Sequence, residues 1–158
     1  MAKVENAMDK RAYAQSLFSQ GYNCAQAVLL AFQEEAGLDW DTAARLASSF
    51  GAGMGRLREV CGAVSAMFMV IGLRFGYATA DQPEEKAAHY RRIQFLAQQF
   101  REKRETLICR ELLQGVPTTA GVVPEERTRE YYARRPCRDI IGDAAEILER
   151  FLQANPCK

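Results

Sequence analysis

No part of this 158-residue chain sustains the every-second-residue alternation of apolar and β-branched side chains that a half-buried strand needs, and this constrains the fold more than any motif. Ala, Leu, Glu, Gln and Arg dominate instead, all of them good helix formers. The sequence therefore predicts an all-α, single-domain bundle of about seven or eight helices. A first helix is expected over Glu5 to Ser19, broken by Gly21 and Tyr22. Asn23, with Gln26 three residues on, has the pattern of a capping box for a second helix, Cys24 to about Ala36, stopped at Gly37. Asp39 can cap a third, Trp40 to Ser49, and a fourth is expected from about Glu59 to Arg74. Pro83 opens a long fifth helix with Glu84 and Glu85 in its first turn, as the helix dipole prefers. "TLICRELLQG" is a short sixth helix or a continuation of the fifth past a kink, and 115–124 is a loop. "PEERTREYYARR" is a seventh. "PCRDIIGDAAEILERFLQ" is an eighth, with Ile140, Ile141, Ala144, Ile147, Leu148 and Phe151 on one face.

A net charge of +1 gives no global field directed at nucleic acid or a membrane surface. The longest apolar run, Val64 to Leu73, is about half the length needed to cross a bilayer, so it reads as a core helix without direct membrane insertion. "MAKVENAMDKRAYAQ" has no apolar signal region, so a cytoplasmic setting is expected, and there lasting disulfides are rare.

The cysteines are then informative. Cys24, Cys61, Cys109, Cys137 and Cys157 include no C-x-x-C pair, and His89 is the one histidine. His89 falls mid-helix among charged neighbours and is expected on or near the surface. Five unrelated buried thiols remain an open reading, since cores use free cysteine as a small hydrophobe. Yet each of the first four falls at the expected start of a helix, where unpaired N–H groups and the helix dipole favour thiolate. Cys157, in the tail "NPCK", is set apart as a free thiol. The stretch "GAGMGRLREV" before Cys61 has G-x-G-x-G after a helix, not the strand-led G-x-G-x-x-G of a dinucleotide loop. Its glycines read as a permissive bend that delivers Cys61. Arginine crowds Cys137: "RTREYYARRPCR" has five against one acid. Arg135 and Arg138 flank the cysteine and are expected to stabilise negative sulfur; Arg56 and Arg58 are expected to do the same at Cys61. Tyr131 and Tyr132 either wall the site or pack. Gly62, Ala63, Ser65, Ala66 and Gly72 allow a second helix close approach, within the bundle or across a homodimer interface.

"GYNCAQAVLLAF", "FGAGMGRLREVCGAVSAMFMVIGL", "CRELL" and a fourth cysteine ahead of "AAEIL" together resemble the C_GCAxxG_C_C family of putative redox-active proteins, over about residues 10 to 150. The family's four cysteines correspond to Cys24, Cys61, Cys109 and Cys137. Ala66 stands where the family's element ends in glycine, a change expected to touch helix packing rather than sulfur chemistry. The resemblance implies redox-active cysteines and, because members are often encoded near transporters, a transporter-associated redox partner. A similar four-cysteine domain occurs in split-Soret cytochromes, where the thiols are thought to hold an iron–sulfur centre. Three functions follow. Cys24, Cys61, Cys109 and Cys137 are the ligands of a [2Fe–2S] electron-transfer centre. Or they exchange thiol and disulfide without metal, with Cys24 and Cys61 as the reactive pair. Or the protein is a non-catalytic helical partner of a transporter. Structural zinc also takes four thiolates, but its usual short paired spacings are missing.

Overall fold

The computed structural model describes residues 9–156, so the expected helix start at Glu5 and the tail thiol Cys157 lie outside the described residues. Helix α1 runs from Lys10 to Ser19; the Asp9 carboxylate accepts the Ala12 N–H at 2.7 Å. Helix α2 is Cys24–Ala31, opened by the expected capping box: Asn23 Oδ1 accepts the Gln26 N–H, and Gln26 Oε1 accepts the Asn23 N–H. The expected continuous helix to Ala36 is instead interrupted at Phe32, whose φ of −109° and ψ of 24° leave the helical well. A short α3, Gln33–Ala36, follows and ends on left-handed Gly37, as expected. Helix α4 is Trp40–Ser48 behind an Asp39 cap. Helices α5 (Gly62–Phe75), α6 (Pro83–Arg104), α7 (Cys109–Leu112), α8 (Arg129–Arg134) and α9 (Cys137–Ala154) complete the order. The all-α expectation is met: no strand occurs among the described residues, only an isolated antiparallel bridge between Val60 and Ile108.

That bridge explains two revised boundaries. Helix α5 starts at Gly62 rather than Glu59, because Glu59, Val60 and Cys61 are extended and bonded to 107–109. Glu105, left-handed at φ 70°, separates α6 from α7, so the sixth helix is not a continuation of the fifth. The seventh helix shrinks to α8, capped by Thr128, because 124–128 lies in a loop.

Helices α2 and α5 form the interior. Alanine, valine, leucine and glycine let them pack closely, with Ala25 to Ala31 and Gly62 to Met67 almost wholly buried apart from half-buried Gln26. Gly62, Ala63, Ser65 and Ala66 of the small-residue helix α5 thus pack inside the bundle. Helices α1 and α9 pack together across this pair. The expected α9 face is buried from Ile140 to Leu148, with Phe151 half-buried. Burying each large side chain stabilises by about 1.5–3 kcal/mol. Asp143 joins three helices, accepting from Arg11 at 2.8 Å and Arg104 at 2.6 Å. His89 is a correction: it is buried under Tyr77, with ring centroids 6.1 Å apart, and burial pulls its pKa down. No helix among the described residues is long and apolar enough to cross a membrane.

Candidate redox site

All four cysteines line one cavity of about 310 Å³. The expected helix starts are present at each. Cys24, Cys109 and Cys137 are the first residues of α2, α7 and α9, and Cys61 is the residue before α5, not inside it. Thr106 does not cap α7; its hydroxyl accepts from the Ile108 N–H, and Ile108 occupies the cap position.

The single bridge does most to bring Cys61 and Cys109 together. The Cys61 N–H donates to Leu107 O at 2.8 Å, and the Cys109 N–H donates to Glu59 O at 2.6 Å. Val60 and Ile108 are directly opposed, so the residues one step further on, Cys61 and Cys109, turn to the other face of the ribbon, both on the same side. Cys24 meets them through Gly62: a Cβ on Gly62 would stand 2.5 Å from Cys24 Sγ and 2.6 Å from Phe50 O. The glycine after Cys61 is therefore where one cysteine makes room for another. Adjacency to Cys61 in "CGAV" is the signal that could have found it.

The glycine stretch is more than a bend. Ala52 to Arg56 all have positive φ, from 55° to 73°, and Arg58 repeats it at 61°. The chain makes a left-handed turn, at about 1–2 kcal/mol for each non-glycine residue. Its bonds run Met54 N–H to Phe50 O, Arg58 N–H to Ala52 O and Glu59 N–H to Gly53 O. Gly53 is required twice over. Its φ is 73°, and a Cβ there would lie 2.7 Å from Cys109 Cβ. The turn sets Arg56 and Arg58 side by side over the cavity rather than beside Cys61. The Arg58 guanidinium favours thiolate at Cys109, and the Arg135 guanidinium favours it at Cys137. Arg138, expected to share that role, is exposed and outside the cavity, pointing away on the first turn of α9. Arg127 reaches the cavity wall but spends its donors on Phe18 O, Tyr22 O and the Tyr132 hydroxyl, stacked on the Phe18 ring at 4.3 Å. Tyr131 lines the cavity, whereas Tyr132 packs against Phe18 and Tyr131.

Helix starts alone would lower the thiol pKa values, but here burial outweighs them. Burial pushes Cys61 well up, with nearby Cys24 adding to it. Burial and then Cys24 raise Cys137 to about 11, against the pull of Arg135. Cys109 is also raised by burial, Arg58 notwithstanding. Cys61, Cys109 and Cys137 thus favour the neutral thiol beside cationic guanidinia, and an acceptor that takes up thiolate meets positive charge already in place.

Glu125 was missed by sequence reasoning, which put it in a helix's first turn. It projects from the 115–128 loop onto Arg56, Arg58 and Arg135. The contact spans more than sixty residues of sequence for Arg56 and Arg58, and no local pattern announces it.

An all-α domain gathering four cysteines from four helix starts into one arginine-flanked cavity defines a cysteine-site protein class. The chain belongs to the family described as "Putative redox-active protein (C_GCAxxG_C_C)", whose model matches residues 22–151. No curated protein and no solved structure matches it.

Proposed function

We propose that Cys24, Cys61, Cys109 and Cys137 form one redox site that holds an iron–sulfur cluster of the [2Fe–2S] kind and passes single electrons. The observation that carries this is the convergence of all four cysteines on one cavity with guanidinium groups at two of the sulfurs. Among the described residues no three His, Cys, Asp or Glu side chains close around one point where a metal ion could sit. A cluster divides its cysteinates among its irons and needs no point shared by three of them, and the donor set suits it. When bound, such a cluster supplies one-electron chemistry. The chain's own part is to hold the sulfurs on rigid helix ends and set the charge around them. Arg58 and Arg135 bring positive charge to Cys109 and Cys137, which favours the more negative, reduced state of the site. Cys24 and Cys137 are half-buried residues, whereas Cys61 and Cys109 are buried.

Anaerobic purification followed by an absorption spectrum and iron and sulfide analysis tests the proposal. Iron and acid-labile sulfide in equal amounts are expected, lost when any one of the four cysteines becomes serine. A colourless, iron-free protein after anaerobic reconstitution would refute it.

A second reading has its own support. Cys24 Sγ lies against the Cα of Gly62, next to Cys61, and Cys24 is the neighbouring ionisable side chain that most affects Cys61. Metal-free thiol–disulfide exchange would oxidise these two thiols to one disulfide, releasing two protons and two electrons to an acceptor. Mass spectrometry under mild oxidant would then show a loss of about two daltons, restored by dithiothreitol.

A further inference from the structure

Glu125 is already an oxyanion seated beside the cysteines. Its carboxylate accepts the Thr119 N–H at 2.7 Å and the Thr119 hydroxyl at 3.1 Å, with Arg56 and Arg58 each at 3.7 Å and Arg135 in direct contact. The side chains are nearly closed to solvent: 9% exposed for Arg56, 15% for Arg58 and Glu125, 5% for Arg135. Three guanidinia thus face one carboxylate in a site that water screens poorly, and Arg58 and Arg135 are near enough to repel. Two positive charges are left unmatched. Arg58 and Arg135 also serve cysteine sulfurs, but Arg56 bonds only to the loop, at Gly121 O, Thr119 O and Thr119 Oγ1. Compensation of sulfur charge therefore does not account for all three.

The carboxylate, moreover, comes from the most exposed apolar segment among the described residues. Val122 and Val123 are 87% and 75% exposed, three and two residues from it, so the loop is not packed down by a core of its own. Planar guanidinium forks match the edges of a tetrahedral oxyanion in pairs.

We propose that Arg56, Arg58 and Arg135 form a receptor for a small divalent inorganic oxyanion beside the four sulfurs, and that the Glu125 carboxylate is the occupant such an anion displaces. This names the class of molecule that the redox site receives. It rests on the redox reading for what becomes of the anion, not for its binding.

The full-length protein, purified anaerobically, is titrated calorimetrically at low ionic strength with sodium sulfate, phosphate or acetate. Saturable sulfate and phosphate binding is expected, with acetate at least about tenfold weaker. Glu125→Gln removes the competing carboxylate and tightens sulfate by about tenfold, while Arg56→Lys, which keeps the charge and loses the fork, weakens it by about tenfold. Because Glu125→Gln leaves like charges together, its melting temperature is followed as well, and sulfate should raise it more than it raises the wild type. The proposal is overturned if sulfate gives no saturable heat in wild type or Glu125→Gln, if acetate binds as tightly, or if Arg56→Lys binds sulfate unchanged. Iron and sulfide are measured on the same samples. An iron-free protein that binds sulfate removes the cluster and keeps the receptor; an iron-loaded protein that ignores sulfate removes the receptor alone.

Discussion

Among the described residues two arginine–carboxylate clusters stand out, and both carry more cations than acids. Around Asp143 and Glu146 stand Arg11, Lys103, Arg104 and Arg150; around Glu125 stand Arg56, Arg58 and Arg135. What differs is water. The first cluster's cations are 25% to 68% exposed, so the surplus charge is screened and the short bonds to Asp143 simply tie α1, α6 and α9 together. The second cluster is nearly closed to solvent and its bonds run to a loop, not between long helices. A surplus that solvent absorbs is scaffold. A surplus shut away from solvent beside four sulfurs is a field waiting for an anion.

The largest effect expected falls on the scaffold. Asp143→Asn weakens the charge-assisted bonds from Arg11 and Arg104 at the junction of three helices, and should cost about 2–3 kcal/mol in chemical denaturation. The same variant sharpens the acid limb. Burial pushes the Asp143 carboxyl up, but the bonds from Arg11 and Arg104 outweigh it and hold the group below the ordinary carboxylate range. A depressed folded-state pKa gives stability that is present above the ordinary value near 4 and is lost as pH falls through the lower one. Wild type should therefore lose this contribution below about pH 4, and Asp143→Asn should show a flatter stability profile there.

Gly62→Ala comes next. The new methyl meets Cys24 Sγ and the Phe50 carbonyl, and overpacking of this kind costs about 1–3 kcal/mol. If the four cysteines act as one site, its redox signal should fall by more than the stability loss explains. Equal losses would mean that Gly62 is only a packing residue. Glu125→Gln should lower stability by about 2 kcal/mol at low salt, and 50 mM sulfate should recover most of it. Recovery by sodium chloride at matched ionic strength would erase the contrast between the clusters. The smallest effect belongs to Arg150→Ala, on the exposed rim of the first cluster, at about 0.5 kcal/mol or less and vanishing in high salt.

Asn23→Ala would further separate local from tertiary control of the site. Losing the cap should cost about 1 kcal/mol, and because Asn23 Nδ2 also donates to Ser48 O at 3.2 Å, Cys24 should shift with it.

The sequence by itself determined the helices and, through their caps, most of the site's members. Asn23 with Gln26, Asp39, Gly37 and Pro83 act within one turn of the residues they control, so local spacing was enough to place α2, α4 and α6 and to put Cys24 and Cys137 at helix starts. Only the tertiary structure decided what surrounds the sulfurs. The Val60–Ile108 bridge joins segments 48 residues apart, and it moved the start of α5 and set Cys61 and Cys109 on one face. Arg58 went to Cys109 rather than Cys61, Arg138 turned outward, and Glu125 crossed to a left-handed turn some seventy residues earlier in the chain. Thiol acidity reversed for the same reason. A helix start is a local property that lowers a pKa, whereas burial depends on every element packed around the sulfur, and at Cys61, Cys109 and Cys137 burial is the larger of the two.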